Sequence, residues 1–474
     1  MYCGDETGAY IGDIGSSSCR FGYGGEDNPK LVIPSFLASS QESGKYIPSS
    51  CYRYHQNLKP IFRMPYSNEP IVDPTEFLSQ GDTIENWDAL EEAWNYSFRI
   101  LRVRERNKHT TGGGTSKGSQ TKVETPGVRT IRPSITEERL DHPILAVRSG
   151  FTHVMGSEND VASERRELER YTELLMESLQ ADSCFIAPSP MLSSFSHGRQ
   201  TCLIVDVGAG GCRVTPVVDG LLLKRSQRRN GRGGDWMGNV TWQAIRSDNV
   251  SVLPRYRLKL SEKTASLSCP VMMQWGMRDL MSEFRTSDHV SLQTWRYGVY
   301  TTPFTTRDNE EMTAISENPV SYELPDGTLV NLETSTGHDL KRVPELLFTD
   351  DVPFVTPETT NQHSTTCNLP LHHLIQDSLS SVGDVDIRKE LCGNIVLVGG
   401  SSLLPNMEQR LSYEVSGIIS AKCKVIASKF SVERSQSAFI GGSVLTSLGS
   451  FQQLWLSRKE YEEYGAALAI QRFP

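Results

Sequence analysis

The stretch IVDVGAGGCRV occupies residues 204–214: three apolar residues around one aspartate, then a turn of glycine and small residues. A strand delivers a phosphate-binding loop in this way, yet the turn carries no carboxylate and no polar side chain. The pattern occurs twice. Residues 13–20 read DIGSSSCR and residues 206–213 read DVGAGGCR, so D-x-G-x-x-x-C-R recurs 193 positions apart, each time after an apolar strand. A strand ending in Asp, a tight turn and a return strand (RFGYGG; RVTPVVDG) predict a β-hairpin whose turn N–H groups wrap a phosphate. Two such hairpins from duplicated domains, facing each other across a cleft, hold a triphosphate between them. Asp13 and Asp206 are then placed to bind a divalent metal through its waters. A third element, NIVLVGGSSLLPNMEQRL at 394–411, reads as strand, Gly-Gly turn and helix, which lets the backbone approach a nucleoside closely. Each element alone is more often a plain connection; three in this order make a site.

Outside these elements the chain reads as an α/β protein with insertions. Strand-like runs (AYIGDIG, TCLIVDVG, NIVLVGG) alternate with helix-like runs (SERRELERYTELLMESL at 163–179; SLGSFQQLWLSRKEYEEY at 447–464), which predicts sheets covered by helices. Residues 102–140 are poor in apolar side chains and rich in Gly, Thr and Lys, and are expected to form a flexible surface insertion. Residues 349–368 are a second, weaker candidate.

At 474 residues the chain is expected to hold two domains or one large composite one. A net charge of −9 argues against a surface that grips nucleic acid by charge alone. The start MYCGDETGAYIGDIG has no basic segment leading into an apolar one, and no stretch approaches the length of a membrane-spanning helix; cytosol or nucleus is the expected compartment. Ten scattered cysteines, with no C-x-x-C pair, read as reduced and mostly buried thiols rather than zinc ligands.

The segments FIGGSVLTSLGSFQQLWLSRKEYEEYG (439–465), GDVDIRKELCGNIVLVGGSSLLP (383–405) and SYELPDGTLV (321–330) resemble conserved stretches of the actin family. The resemblance spans the chain apart from the two insertions and a divergent stretch from about 245 to 320. Within the family, the opening thirty residues, the Ala of DVGAGG and SVERSQSAFIGG (431–442) most resemble the nuclear actin-related proteins, subunits of chromatin remodellers and histone acetyltransferase complexes. The resemblance implies the fold of the actin, Hsp70 and sugar kinase superfamily: two duplicated α/β domains around a nucleotide cleft. The outer domain is expected at 1–199 plus 443–474 and the inner at 200–442.

The resemblance also assigns the nucleotide site, to Asp13, Gly15, Ser16, Ser17, Ser18, Arg20, Asp206, Gly208, Ala209, Gly210, Arg278, Gly399, Gly400 and Ser401, with ATP and Mg or Ca as ligands. Arg20 replaces the lysine usual in actin. Actin places a glutamine, an aspartate and a histidine around the attacking water, and here those positions hold Ser189, Ala209 and Arg213. Alanine accepts no proton and arginine is always charged, so hydrolysis is expected to be slow or absent and the nucleotide to be a structural ligand. On the adenine side Met281 and Ser282 replace a lysine and a glutamate, while Arg278 is kept.

Phe195, Gly198, Leu445, Leu448 and Leu454 match the apolar groove in which partner helices insert; the plainer reading is that these leucines are core. The implied partners are monomeric actin, a helix of a remodeller ATPase or acetyltransferase scaffold, and histones, in the nucleus and without membrane contact. Filament formation is not expected, because residues 38–57 do not resemble the actin loop that inserts into the next subunit. The basic runs at 221–234 and 102–108 are read as solvated faces before import signals or histone or DNA contacts, and His372 and His373 as ordinary residues. The rival readings are a small-molecule kinase of the superfamily, which lacks such a tail, and a nucleotide-free adaptor of the same fold.

Overall fold

The computed structural model describes residues 8–39, 46–48, 58–60, 84, 86–109, 142–149, 158–234, 236–238, 240–241, 321–323, 329–331, 340–349 and 369–473. Both repeats fold as hairpins. Strand β1 (Tyr10–Ile14) pairs antiparallel with β2 (Ser18–Tyr23), setting Asp13 opposite Arg20. Strand β9 (Cys202–Val207) pairs with β10 (Cys212–Val218), setting Asp206 opposite Arg213.

Each hairpin then takes a parallel strand on its other side. Strand β7 (Ile144–Arg148) lies beside β1, and β15 (Ile395–Val398) beside β9. The first sheet is completed by β3 (Leu31–Pro34), β8 (Ser183–Pro188) and β17 (Leu456–Ser457), in the order β17-β8-β7-β1-β2-β3. The second adds β11 (Leu221–Leu222), β12 (Arg228–Asn230) and β16 (Val425–Ile426), in the order β11-β10-β9-β15-β16, with β12 also on β10. Strands β4 (Phe36–Ser39), β5 (Tyr46–Pro48) and β6 (Leu58–Pro60) form a small sheet, and β13 (Ser321–Glu323) and β14 (Leu329–Asn331) another. The two large sheets repeat one plan, as the duplicated motif requires, and the architecture is α/β. The inner strands are apolar along nearly their whole length because they are buried on both faces.

Each sheet has its own core. In the first, helix Trp87–His109 lays Leu90, Ala93, Trp94 and Leu101 against the hairpin. Trp94 stands edge-on to Phe21 with ring centroids 5.2 Å apart, and Phe98 meets Tyr10 at 4.9 Å. The Tyr10 hydroxyl donates to Ser97 at 2.7 Å, which satisfies that buried polar atom of the aromatic cluster. The second core joins Leu203, Val205 and Val214 to Leu374, Ile375, Leu391 and Leu411. Helices Ser189–Ser196 and Ser437–Thr446 cross at close range, because Gly441 sits on the backbone of Leu192 and a side chain there would collide with it.

Four expectations are corrected. The run 447–464 is not one helix but a 3-10 turn (Gly449–Gln453), then β17, then a helix at Arg458–Tyr464. Leu456 pairs with Cys184 in the first sheet, and Ser457 and Glu460 close a capping box that starts the helix afresh. The run 163–179 begins as helix Glu158–Glu173 but ends in a π turn at Leu174–Ser178, where Arg458 donates to the Met176 and Ala181 carbonyls at 2.9 and 2.6 Å. Residues 102–109 belong to the helix ending at His109 rather than to an insertion; 110–140 lie outside the described residues, as do 350–368. The basic run 221–234 is a solvated face only at Lys224 and Arg225. Arg229 and Arg232 are buried, Arg228 pairs with Asp377, and Arg232 donates to the carbonyls of Leu346 and Thr349. His372 is likewise buried, stacked beside Phe348. The described cysteines at 19, 184, 202, 212, 392 and 423 are free thiols, and all but Cys423 are buried.

Candidate nucleotide cleft

The turns of the two hairpins meet at a cleft holding about 910 Å³ of non-atom space, its solvent-open mouth included. Its wall contains Asp13, Gly15, Ser16, Ser17, Ser18 and Arg20 from the first hairpin and Asp206, Gly208, Ala209 and Arg213 from the second. Gly399, Gly400 and Ser401 close it from the end of β15. Ser189 also reaches the wall. Gly210 is not part of the wall, and Arg278, Met281 and Ser282 lie outside the described residues.

The hairpins correspond atom for atom in four respects. The Gly15 amide donates to Ser18 at 3.2 Å, and the Gly208 amide donates to Gly211 at 3.0 Å. Arg20 Nη1 donates to Asp13 Oδ2 at 2.7 Å, and Arg213 Nη1 to Asp206 Oδ2 at 3.1 Å. A methyl group built on Gly15 would lie 3.4 Å from Arg20 Nη1, and one on Gly208 3.5 Å from Arg213 Nη1, so each guanidinium lies against the glycine of its own loop. Cys19 and Cys212 anchor the return strands from inside, and burial pushes both thiols up to about 12. Ser35 Oγ donates to the Gly15 carbonyl and holds the first loop from behind.

The third loop is stitched to the second hairpin. Gly399 adopts φ +96°, its amide donates to the Arg434 carbonyl at 2.8 Å, and any side chain on it would strike the Asp206 carboxylate and the Val207 carbonyl. Ser401 Oγ donates to the Gly208 carbonyl at 3.2 Å. Ser193 and Ser437 share a hydrogen bond of 2.9 Å where the crossing helices floor the cleft.

The wall also contains Arg148, Ser149, Ser193, Ser435 and Ser437, which the sequence reading did not name. Arg148 closes an otherwise buried strand and binds Glu164 at 2.9 Å; a charge ending the apolar run ILAV was the available signal. Hydroxyls, loop amides and guanidinium groups suit a polyphosphate. Asp13 and Asp206 each accept from an arginine through Oδ2, an arrangement that still suits a divalent cation held through its own waters. Ala209 offers no polar side chain, and Arg213 is bound to Asp206 as a permanent cation.

The candidate groove residues divide. Leu445 is buried in the first core, as the plainer reading had it, whereas Leu448 and Leu454 are 49% and 47% exposed. Phe195 is half-buried beside Gly220, and Gly198 takes φ +61° just past the end of its helix.

A family model described as Actin matches residues 4–474. Over its whole length, and the whole length of each relative, the chain is 30% identical to actin-related protein 4 of Oryza sativa subsp. indica and 27% identical to that of Arabidopsis thaliana. It is 28% identical to actin-related protein 4 of Schizosaccharomyces pombe, with 98% of the chain and 96% of the relative covered.

Proposed function

The chain belongs to the actin family, and from that premise we propose that it is a non-filamentous structural subunit of nuclear chromatin remodelling or histone acetyltransferase complexes. It holds ATP as a structural ligand with little or no hydrolysis. One observation carries this reading: the phosphate loops are built twice and braced, while the positions around the attacking water hold Ser189, Ala209 and Arg213. A ligand that touches both hairpins and the third loop favours one closed arrangement of the two sheets. At a hundred times its dissociation constant it adds about 2.7 kcal/mol to the bound form.

The proposed partners are monomeric actin and a helix of the remodeller ATPase or acetyltransferase scaffold, seated at Leu448 and Leu454; histones are further candidates. The support is the similarity to proteins named actin-related protein 4 and the exposure of these two leucines. No helix among the described residues is long and apolar enough to cross a membrane. The test is reconstitution of the full chain with monomeric actin and the helical segment of a remodeller ATPase, followed by size-exclusion chromatography. A ternary species supports the proposal. Self-assembly into filaments, or ATP turnover that rises with a small-molecule acceptor, contradicts it.

A further inference from the structure

We propose that Cys392 and Cys423 form a redox-responsive thiol pair, which a hydroperoxide converts into a disulfide that staples the edge strand of the second sheet to the strand leading into the cleft.

Backbone pairing brings the two residues together. Cys392 lies in the last turn of helix Val385–Gly393, just before β15, and Cys423 lies just before β16. The two strands run parallel with Ile395 beside Val425, and their pairing extends back past the strand ends. The Ile395 amide donates to the Lys424 carbonyl at 3.1 Å, and the Lys424 amide donates to the Cys392 carbonyl at 2.9 Å. The second bond joins the peptide group after Cys392 to the peptide group after Cys423, so the two α-carbons flank a single hydrogen bond. Backbones paired in this way lie about 4.8 Å apart, and a disulfide spans α-carbons roughly 4.4–6.8 Å apart. The side chains meet accordingly, for the two thiols share a hydrogen bond.

The chemistry of the pair follows from that contact. Contact with Cys423, helped by Arg388 one turn earlier on the helix, outweighs burial and brings the Cys392 thiol down to about 7, while the same contact raises Cys423. The proton lost first is thus shared between two sulfurs, and the pair carries thiolate at neutral pH. Cys392 is buried and Cys423 only half-buried, so Cys423 is the sulfur that a small oxidant reaches. Passing its proton to Cys392, Cys423 attacks one peroxide oxygen; the O–O bond breaks, a sulfenic acid forms and hydroxide leaves. The Cys392 sulfur then attacks that of Cys423, the S–O bond breaks, and the departing hydroxide takes the Cys392 proton. Two thiols are oxidised to one disulfide, and the peroxide is reduced to two waters.

The bond has a structural consequence. Strand β16 pairs with β15 over only two residues, and the cross-link closes the segment 392–423, which contains β15, the cleft loop at 399–401 and helix Met407–Ile418. Closing such a loop removes conformational freedom from the unfolded chain, so the oxidised form is the more stable. In a reducing compartment a bond of this kind is transient, as a switch requires.

The experiment treats the reduced full-length protein with hydrogen peroxide at neutral pH, alkylates the remaining thiols and digests without reductant. Trypsin releases Cys392 in the peptide 390–410 and Cys423 in the dipeptide 423–424. The expected species is these two joined, about 2 Da lighter than the sum of the reduced pieces, and dithiothreitol should separate them. It should form about tenfold or more faster than Cys184 is modified, a thiol that burial pushes up to about 12. The oxidised protein is expected to melt about 2 °C or more above the reduced one, a rise absent from Cys423→Ser. Recovery of 390–410 with Cys392 alkylated, or joined to a different cysteine, overturns the proposal. The expected link with an unchanged melting temperature overturns the staple.

Discussion

Ser401 donates its hydroxyl to the carbonyl of Gly208 at 3.2 Å, and so ties the loop that follows β15 to the loop between β9 and β10. The two residues are 193 positions apart in the chain. The contact makes two of the three loops that line the cleft a single unit, with Gly399 packed between them.

Gly399→Ala should therefore damage the cleft more than the fold around it. The new Cβ meets the Asp206 carboxylate and the Val207 carbonyl at a backbone φ of +96°, which costs about 1–3 kcal/mol in strain. The expected result is a lowered melting temperature together with loss of bound nucleotide. Retention of both at native levels shows that the loop is not held as described.

If hydrolysis is absent because the water has no base, restoring the groups should restore turnover. Ser189→Gln, Ala209→Asp and Arg213→His introduced together are expected to raise single-turnover phosphate release by roughly 10²- to 10⁴-fold, the range of a positioned general base. Unchanged release in a protein that still binds ATP places the missing element elsewhere.

Leu448 and Leu454 separate stability from docking. Both are about half exposed, so changing both to Asp is expected to change the unfolding free energy obtained from urea titration by no more than about 0.5 kcal/mol per site. Partner-helix binding should fall by an order of magnitude or more in a pull-down. Leu445 is the control. It is part of the first core, and Leu445→Ala is expected to cost about 2–5 kcal/mol.

The buried thiols predict an alkaline limit. Burial raises Cys19, Cys184, Cys202 and Cys212 from 9.0 to about 12. Between those values the folded chain keeps protons that the unfolded chain has released. The stabilising contribution is therefore complete below 9.0 and is lost as pH rises through about 12, at about 1.4 kcal/mol per pH unit for each thiol. Urea midpoints should fall across that window, and less steeply in a Cys184→Ala, Cys202→Ala double variant. Equal slopes in the two proteins assign the alkaline loss to other groups.

What the sequence made legible was the local geometry. D-x-G-x-x-x-C-R fixes a hairpin, its turn and its register at once, so the facing of Asp206 and Arg213 follows from a spacing of seven. The tail was misread because its apolar spacing suits a helix, while the break depends on the pairing of Leu456 with Cys184, more than 270 positions away. The buried half of the basic run, Arg229 and Arg232, was misread for the same reason. Arg232 is buried on carbonyls of Leu346 and Thr349, and no local pattern announces partners so distant in the chain. Arg148 reaches the cleft only because β7 lies parallel to β1, a neighbour relation set by the sheet rather than by any motif.

The central claim is that the cleft holds an uncleaved triphosphate as part of the folded structure. The direct measurement is the nucleotide released on denaturation of the full-length protein purified without added ligand, identified and counted by chromatography. Near-stoichiometric ATP is the predicted result. Mostly ADP contradicts the reading of Ser189, Ala209 and Arg213, and an empty cleft that also fails to take up ATP on titration contradicts the structural role of the nucleotide itself.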